Sequence, residues 1–439
     1  MSRWRRGVAV LATTVVVGVV APAVSAVSAA AVPMCQGHRA TIVGDRTSPG
    51  VLKGTGGDDV IVTRGHYVRS KAGDDRICVT GDATYVTVDA GSGDDRVVVK
   101  GSRRMRVHAI LGRGQDVYLG GAGRDQVDAD PEVRAGHPSP DDELDRVSTR
   151  GGKDTVEIGV PRQTTHDVLD LGDGADQVQV YGLLGSDVRP RGGAGTDYLG
   201  LIPNGNASED PPNGNWVIDN ALETATVDGV VQSHWDAFEW FTPSDLNAET
   251  VRFVGGDAAE LLAADHELVS ASMGGGDDVV AMGFFGGVQD VNLSGGPGSD
   301  TLSVGSRELT VDLAAGELWD ESGSADDPQV RFDTFENASG YAGFLRIIGD
   351  AQDNVLRAYG CDVVVTGGAG DDRLQATPAD PEDKCQGNPG VDFSGEAGSD
   401  VLLGGPGPDR LDGGEDHDVA AGRGGIDVCL AEVRRACER

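Results

Sequence analysis

Residues 395–427 read GEAGSDVLL, GGPGPDRLD, GGEDHDVAA and GRGGID, four copies of one unit laid end to end. An aspartate closes the glycine-rich part of each copy, at Asp400, Asp409, Asp418 and Asp427, a constant step of nine residues. The second residue after the first three is apolar: Leu402, Leu411 and Ala420. A nonapeptide of this kind has room for a six-residue turn and a three-residue strand. Two of them make one coil of 18 residues with a turn on each edge. So short a strand cannot bury a face alone, but stacked coils bury a continuous narrow core. The fold class expected is therefore all-β, a parallel β-roll or β-solenoid of glycine-aspartate repeats.

Working outward, the same unit recurs along most of the chain. Copies with a doubled leading glycine end at Asp125, Asp197, Asp300, Asp372 and Asp409. Copies that keep both inner glycines end at Asp95, Asp116, Asp176 and Asp278. All nine are followed two places later by Val97, Tyr118, Val127, Val178, Leu199, Val280, Leu302, Leu374 or Leu411, as a buried strand position requires. Weaker copies end at Asp59, Asp75, Asp154, Asp353, Asp400, Asp418 and Asp427. Away from the C-terminus the usual step is 16 to 22 residues, which returns the chain to the same edge one coil later. One loaded edge is expected over much of the length, and two at the C-terminal end. Runs such as Val60-Ile61-Val62, Val97-Val98-Val99 and Val363-Val364-Val365 read as the strands between turns.

Composition agrees with this reading and excludes others. The 439 residues include 67 glycines, 53 aspartates and only 18 glutamates, and the formal charge is -35. A nucleic-acid binder needs a basic surface, and a helical bundle would not carry this much glycine, at about 1 kcal/mol per interior position. Aspartate in place of glutamate suits tight glycine turns and short oxygen ligands. Carbonyl and carboxylate oxygens without nitrogen or sulfur favour Ca²⁺; Mg²⁺ fits less well because it keeps its waters and an octahedral shell.

Six segments are expected. Residues 1–31 have a basic start, an apolar run and small residues, the layout of a secretory signal peptide. Residues 32–200 form an N-terminal roll, 201–273 an aromatic-containing β cassette, 274–302 further repeats, 303–348 a second related cassette, and 349–439 a C-terminal roll with a disulfide-capped end. The cassettes share the pairs Phe238-Glu239 and Phe335-Glu336, 97 residues apart, and read as a duplication, not an inserted catalytic domain. Six cysteines in an exported chain suggest disulfides. Their grouping along the chain favours Cys35–Cys78, Cys361–Cys385 and Cys429–Cys437 among the 15 possible pairings.

The Gly-Gly-x-Gly-x-Asp-x-aliphatic unit resembles the haemolysin-type, or RTX, calcium-binding repeat, over about 50–200 and 274–430. The resemblance implies a parallel β-roll with Ca²⁺ between loops of neighbouring coils, held by aspartates and backbone carbonyls. Carried over residue by residue, the implied ligands are Asp95, Asp116, Asp125, Asp176, Asp197, Asp278, Asp300, Asp372 and Asp409, with Asp59 close behind. Asp75, Asp154, Asp400, Asp418 and Asp427 follow, but Lys71, Arg150, Glu396, Asp416 and Arg423 stand in glycine positions of their loops. The three cations weaken the case for metal there. The overall layout is similar to secreted actinobacterial calcium-binding proteins. It departs from the large toxins in having an N-terminal leader and no separate toxin or enzyme domain.

The functional expectation is a secreted calcium-ion-binding protein whose folding is coupled to external Ca²⁺, with no membrane span. His266-Glu267 begins a zincin-like string whose second histidine is missing, and no nucleophile elbow occurs, so no enzyme is expected. Two alternatives are a calcium-dependent module for a cell surface or glycan, and an extracellular enzyme acting on polysaccharide. Trp216, Trp235, Phe238, Trp240 and Phe241 would form the sugar platform of the first, or else pack the cassette onto the roll.

Overall fold

The computed structural model describes residues 32–44, 50–65, 67–130, 144–202, 214–243, 246, 248–264, 268–283, 291–320, 328–376 and 389–438. The leader 1–31, Cys385, His266-Glu267 and residues 131–143 lie outside them. The described residues are strands and turns, without a helix, and none of them forms a helix long and apolar enough to cross a membrane.

Each loop aspartate ends a turn, and the strand begins at the next residue, except at Asp125, whose strand Arg124–Asp128 begins one residue before it. The second residue after the aspartate points inward, and with Phe241 and Leu262 after Glu239 and Glu260 these residues form two columns in the core: Ile61, Ile77, Val97, Tyr118, Val147 and Leu169 on one face, Val127, Val156, Val178, Leu199, Phe241, Leu262, Val280 and Leu302 on the other, all buried. Burying an aliphatic side chain of this size contributes roughly 1.5–3 kcal/mol, and every coil adds at least one per face. Pairing is parallel, coil on coil. Arg76–Gly81 lies beside Arg96–Gly101 with Ile77 opposite Val97, and Tyr85–Ser92 beside Arg106–Arg113 with Val86 opposite Val107. Near the C-terminus Val401–Leu403 pairs with Val419–Ala421, and Arg410–Glu415 with Val428–Leu430, so nine-residue units alternate between the two faces.

The roll is interrupted twice, in the same way. Asn215–Asp219, Thr224–Val227 and Val230–His234 run antiparallel to one another, and the first of them pairs in parallel with Thr250–Val254. Glu308–Asp312, Glu317–Asp320 and Val330–Asp333 repeat the arrangement: antiparallel among themselves, with Val330–Asp333 parallel to Val291–Ser294 and Glu308–Asp312 parallel to Asn337–Ile348. Each cassette thus inserts an antiparallel hairpin into one face without ending the core. Trp216, Trp235, Phe238 and Phe241 are buried. Trp235 and Phe241 pack with ring centroids 5.7 Å apart, and Phe241 and Phe253 5.4 Å apart. These aromatics fasten the insert to the roll and form no exposed platform.

Disulfides join Cys35 to Cys78, tying the N-terminal hairpin to the first face, and Cys429 to Cys437 at the last coil. Cys361 is also disulfide-bonded.

Candidate metal centre

The loop carboxylates stack into ladders. The backbone N–H of each loop aspartate donates to Oδ1 of the equivalent aspartate one coil later. Asp59, Asp75, Asp95, Asp116, Asp145 and Asp167 make the first ladder, with N–O distances of 2.7–2.8 Å. A second, on the opposite edge, runs Asp125, Asp154, Asp176, Asp197 and Glu239. The same edge carries Glu260, Asp278, Asp300 and Glu336, then Asn354, Asp372, Asp400, Asp418 and Glu432. A short ladder, Asp409, Asp427 and Glu438, returns to the first edge at the C-terminus.

Fifteen of the 16 loop aspartates singled out in the sequence are therefore brought into ladders, all but Asp353. Sequence reasoning missed Asp145, Asp167, Glu239, Glu260, Glu336, Asn354, Glu432 and Glu438. It also misplaced one position: the rung is Asn354, not Asp353. Asp353 belongs to an outer, exposed row, where Asp371 N–H donates to its Oδ1 at 2.8 Å. Asp277 lies in the same outer row, and Asp58, Asp74 and Asp94 form its counterpart on the first edge. Four of the five ladders end in a glutamate, which lacks the glycine turn; its extra methylene reaches back to the last aspartate's N–H. At the two cassettes an asparagine amide spans the break. Asn220 Nδ2 donates to Glu260 Oε1 at 2.8 Å and to the Phe238 carbonyl at 3.0 Å, while Asn354 Nδ2 donates to the Glu336 carbonyl at 2.8 Å.

Glycine is favoured because the turns stack backbone on backbone. A Cβ on Gly112, where φ is +107°, would stand 1.8 Å from the Gly91 carbonyl oxygen. The residues that replace glycine keep its left-handed backbone: φ is 90° at Lys71, 69° at Arg150, 76° at Glu396, 79° at Asp416 and 72° at Arg423. The turn geometry is thus retained where its residue preference is violated, at a cost of order 1 kcal/mol each.

The second carboxylate oxygen decides the chemistry. Oδ2 of Asp75, Asp95, Asp154, Asp176, Asp197, Asp278, Asp300, Asp372, Asp400, Asp418 and Asp427 is buried and accepts no hydrogen bond. Buried polar groups are normally satisfied, and a charged one left alone is costly. Burial accordingly pushes six of these carboxyls far above the usual range: Asp95 to about 9, Asp154, Asp176, Asp278 and Asp372 to about 7, and Asp400 to about 6. Asp145 reaches about 11, from burial first and the Asp167 and Asp116 charges next. Among the described residues no three acidic, histidine or cysteine side chains converge on one point. The available donors are one or two carboxylates and the carbonyls of the stacked turns. That all-oxygen set fits a hard cation that accepts backbone carbonyls, and Ca²⁺ is such an ion.

A family model for the RTX calcium-binding nonapeptide repeat matches residues 346–374 and 394–429, in four copies. The chain carries RTX calcium-binding repeats. These repeats bind Ca²⁺, and in this chain they coincide with the ladder through Asn354, Asp372, Asp400 and Asp418 and with Asp409 and Asp427. No curated protein matches the chain.

Proposed function

We propose that this is an extracellular calcium-dependent scaffold in which ions lie between successive rungs of the ladders, and that their binding drives the roll to fold. The single observation that supports this best is the row of buried, unpartnered Oδ2 atoms. The residues that would hold calcium are Asp75, Asp95, Asp116, Asp154, Asp176, Asp197, Asp278, Asp300, Asp372, Asp400, Asp418 and Asp427. Asp59, Asp125 and Asp409 stand at ladder starts, and Asp145 and Asp167 extend the first ladder. The ion, when bound, supplies the positive charge that a stack of buried carboxylates lacks. The chain supplies the rest: Oδ1 locks each rung to the next coil's turn, Oδ2 stays available, and the glycine turns leave carbonyls without side-chain cover.

The ladders run along the core on both sides of each cassette, so calcium binding and the folding of the core are the same process. Free energy of ion binding then appears as folding free energy. An extracellular location suits this, because disulfides persist there and the leader-like residues 1–31 lie at the N-terminus. No described cluster has the look of a catalytic site, and a structural calcium-binding role without catalysis is the reading we favour. Far-ultraviolet circular dichroism in chelator and then in Ca²⁺ tests the coupling. A strand spectrum that strengthens with Ca²⁺ supports it; the same spectrum in both conditions rejects it.

A further inference from the structure

We propose that Lys71, Arg150 and Arg423 are tethered cations that close the opening gap of three ladders in place of calcium. This rests on the reading that calcium fills the other gaps.

The three residues share one position. Each is the second residue of its turn, where comparable turns carry Gly91, Gly172, Gly193, Gly296, Gly368 and Gly414 in the same left-handed conformation. A long cationic side chain is costly there unless it does something. All three make the same kind of contact: a hydrogen bond to the carbonyl oxygen at the first position of an earlier turn on the same edge. Lys71 Nζ donates to the Gly54 carbonyl. Arg150 Nη1 donates to the Gly120 carbonyl at 3.2 Å. Arg423 Nη1 reaches two coils back to the Ala376 carbonyl at 3.3 Å. Ala376 follows Gln375, which is opposite Leu403, so it occupies the place of Gly404.

The carboxylates that open the three ladders are hydrogen-bonded differently from the later rungs. Asp59 Oδ2 accepts from Thr55 N–H at 2.6 Å and Thr55 Oγ1 at 2.9 Å. Asp125 Oδ2 accepts from Gly121 N–H at 3.1 Å, and Asp409 Oδ2 from Gly405 N–H at 2.7 Å. At Asp59 and Asp409 both oxygens are taken by the chain itself, whereas Asp125 keeps a buried Oδ1 without a partner, as the later rungs keep Oδ2. Each of the three is also the first loop of its ladder, with no preceding rung on that edge. A fixed charge there gives the ladder an ordered coil before any ion binds. The remaining two replacements, Glu396 and Asp416, keep the strained backbone but cannot donate, and so provide a control for strain alone.

The test counts bound calcium in chelator-stripped protein titrated with CaCl₂ against a fluorescent calcium indicator. Lys71→Gly, Arg150→Gly and Arg423→Gly are each expected to bind one more Ca²⁺ than the parent chain, and Glu396→Gly the same number. Hydrogen exchange gives the second readout. The coil around Gly54 to Gly81 should be protected in chelator in the parent, unprotected in Lys71→Gly, and protected again in that variant with Ca²⁺. Unchanged stoichiometry in all three cation variants, or equal protection of that coil in chelator with and without Lys71, overturns the proposal. A parent chain that binds no calcium at all would instead overturn the function on which it rests.

Discussion

Acid should replace calcium. Six buried loop aspartates have carboxyls raised above the ordinary value of 3.8, with burial as the first cause: about 6 at Asp400, about 7 at Asp154, Asp176, Asp278 and Asp372, and about 9 at Asp95. A carboxyl whose folded pKa lies above its unfolded pKa stabilises the fold fully below the unfolded value. That contribution is lost as pH rises through the folded value. The window here is therefore open below pH 4 and closes between about pH 6 and 9. Each carboxyl that keeps its proton in the fold but would lose it on unfolding changes stability by about 1.4 kcal/mol per pH unit. Two such groups remove roughly 3 kcal/mol per unit, a large share of the 5–15 kcal/mol that holds a typical domain together. The assay is thermal melting by circular dichroism in chelator at pH 5, 6, 7 and 8. The melting temperature should fall steeply with pH, and Ca²⁺ should reverse the trend, since protons then compete with the ion. A metal-free melting temperature that is flat or rises from pH 5 to 8 would refute the argument.

Asp176→Asn keeps an acceptor for the Asp154 N–H but removes a buried charge. It should lose one bound Ca²⁺ and about 2 kcal/mol in calcium, yet melt higher than the parent in chelator at pH 8; a loss under both conditions would show that the charge is not the strained element. Gly112→Ala places a Cβ 1.8 Å from the Gly91 carbonyl oxygen at φ +107° and should cost at least 1–3 kcal/mol in a urea melt. Gly56→Ala, with ordinary φ and nothing within 4 Å, should stay within about 0.5 kcal/mol. Cys35→Ser opens a closed loop of separation 43 and should lower stability by roughly 4 kcal/mol on chain-entropy grounds, read in the same denaturant series.

Much of this was legible because glycine turns leave a strong local mark. The step between Asp116 and Asp125 is nine residues, and in space it is where the load passes from one edge to the other, with both edges carrying rungs until Asp167 and Asp176. The nine-residue steps after Asp400 mark the second such overlap. What was not legible were the rungs that lack glycine. Glu239 and Glu336 showed only as a repeated Phe-Glu pair, because their turns are built by the hairpin inserts and not by the nonapeptide. Glu260 and Asn354 do the work of aspartate with a different side chain, so a search for Asp passed over the first and chose Asp353 beside the second. Asp145 and Asp167 follow longer, irregular connections. The cationic replacements looked like defects in the sequence; only the backbone angle at Lys71 and its reach to Gly54 give them a role.

The most direct test is a calcium titration of the metal-free protein at pH 7.5, with stoichiometry and strand content measured on the same samples. The account predicts several Ca²⁺ ions per chain and strand signal that rises in step with them. Binding of no ion, or a full strand signal before any calcium is added, would contradict it.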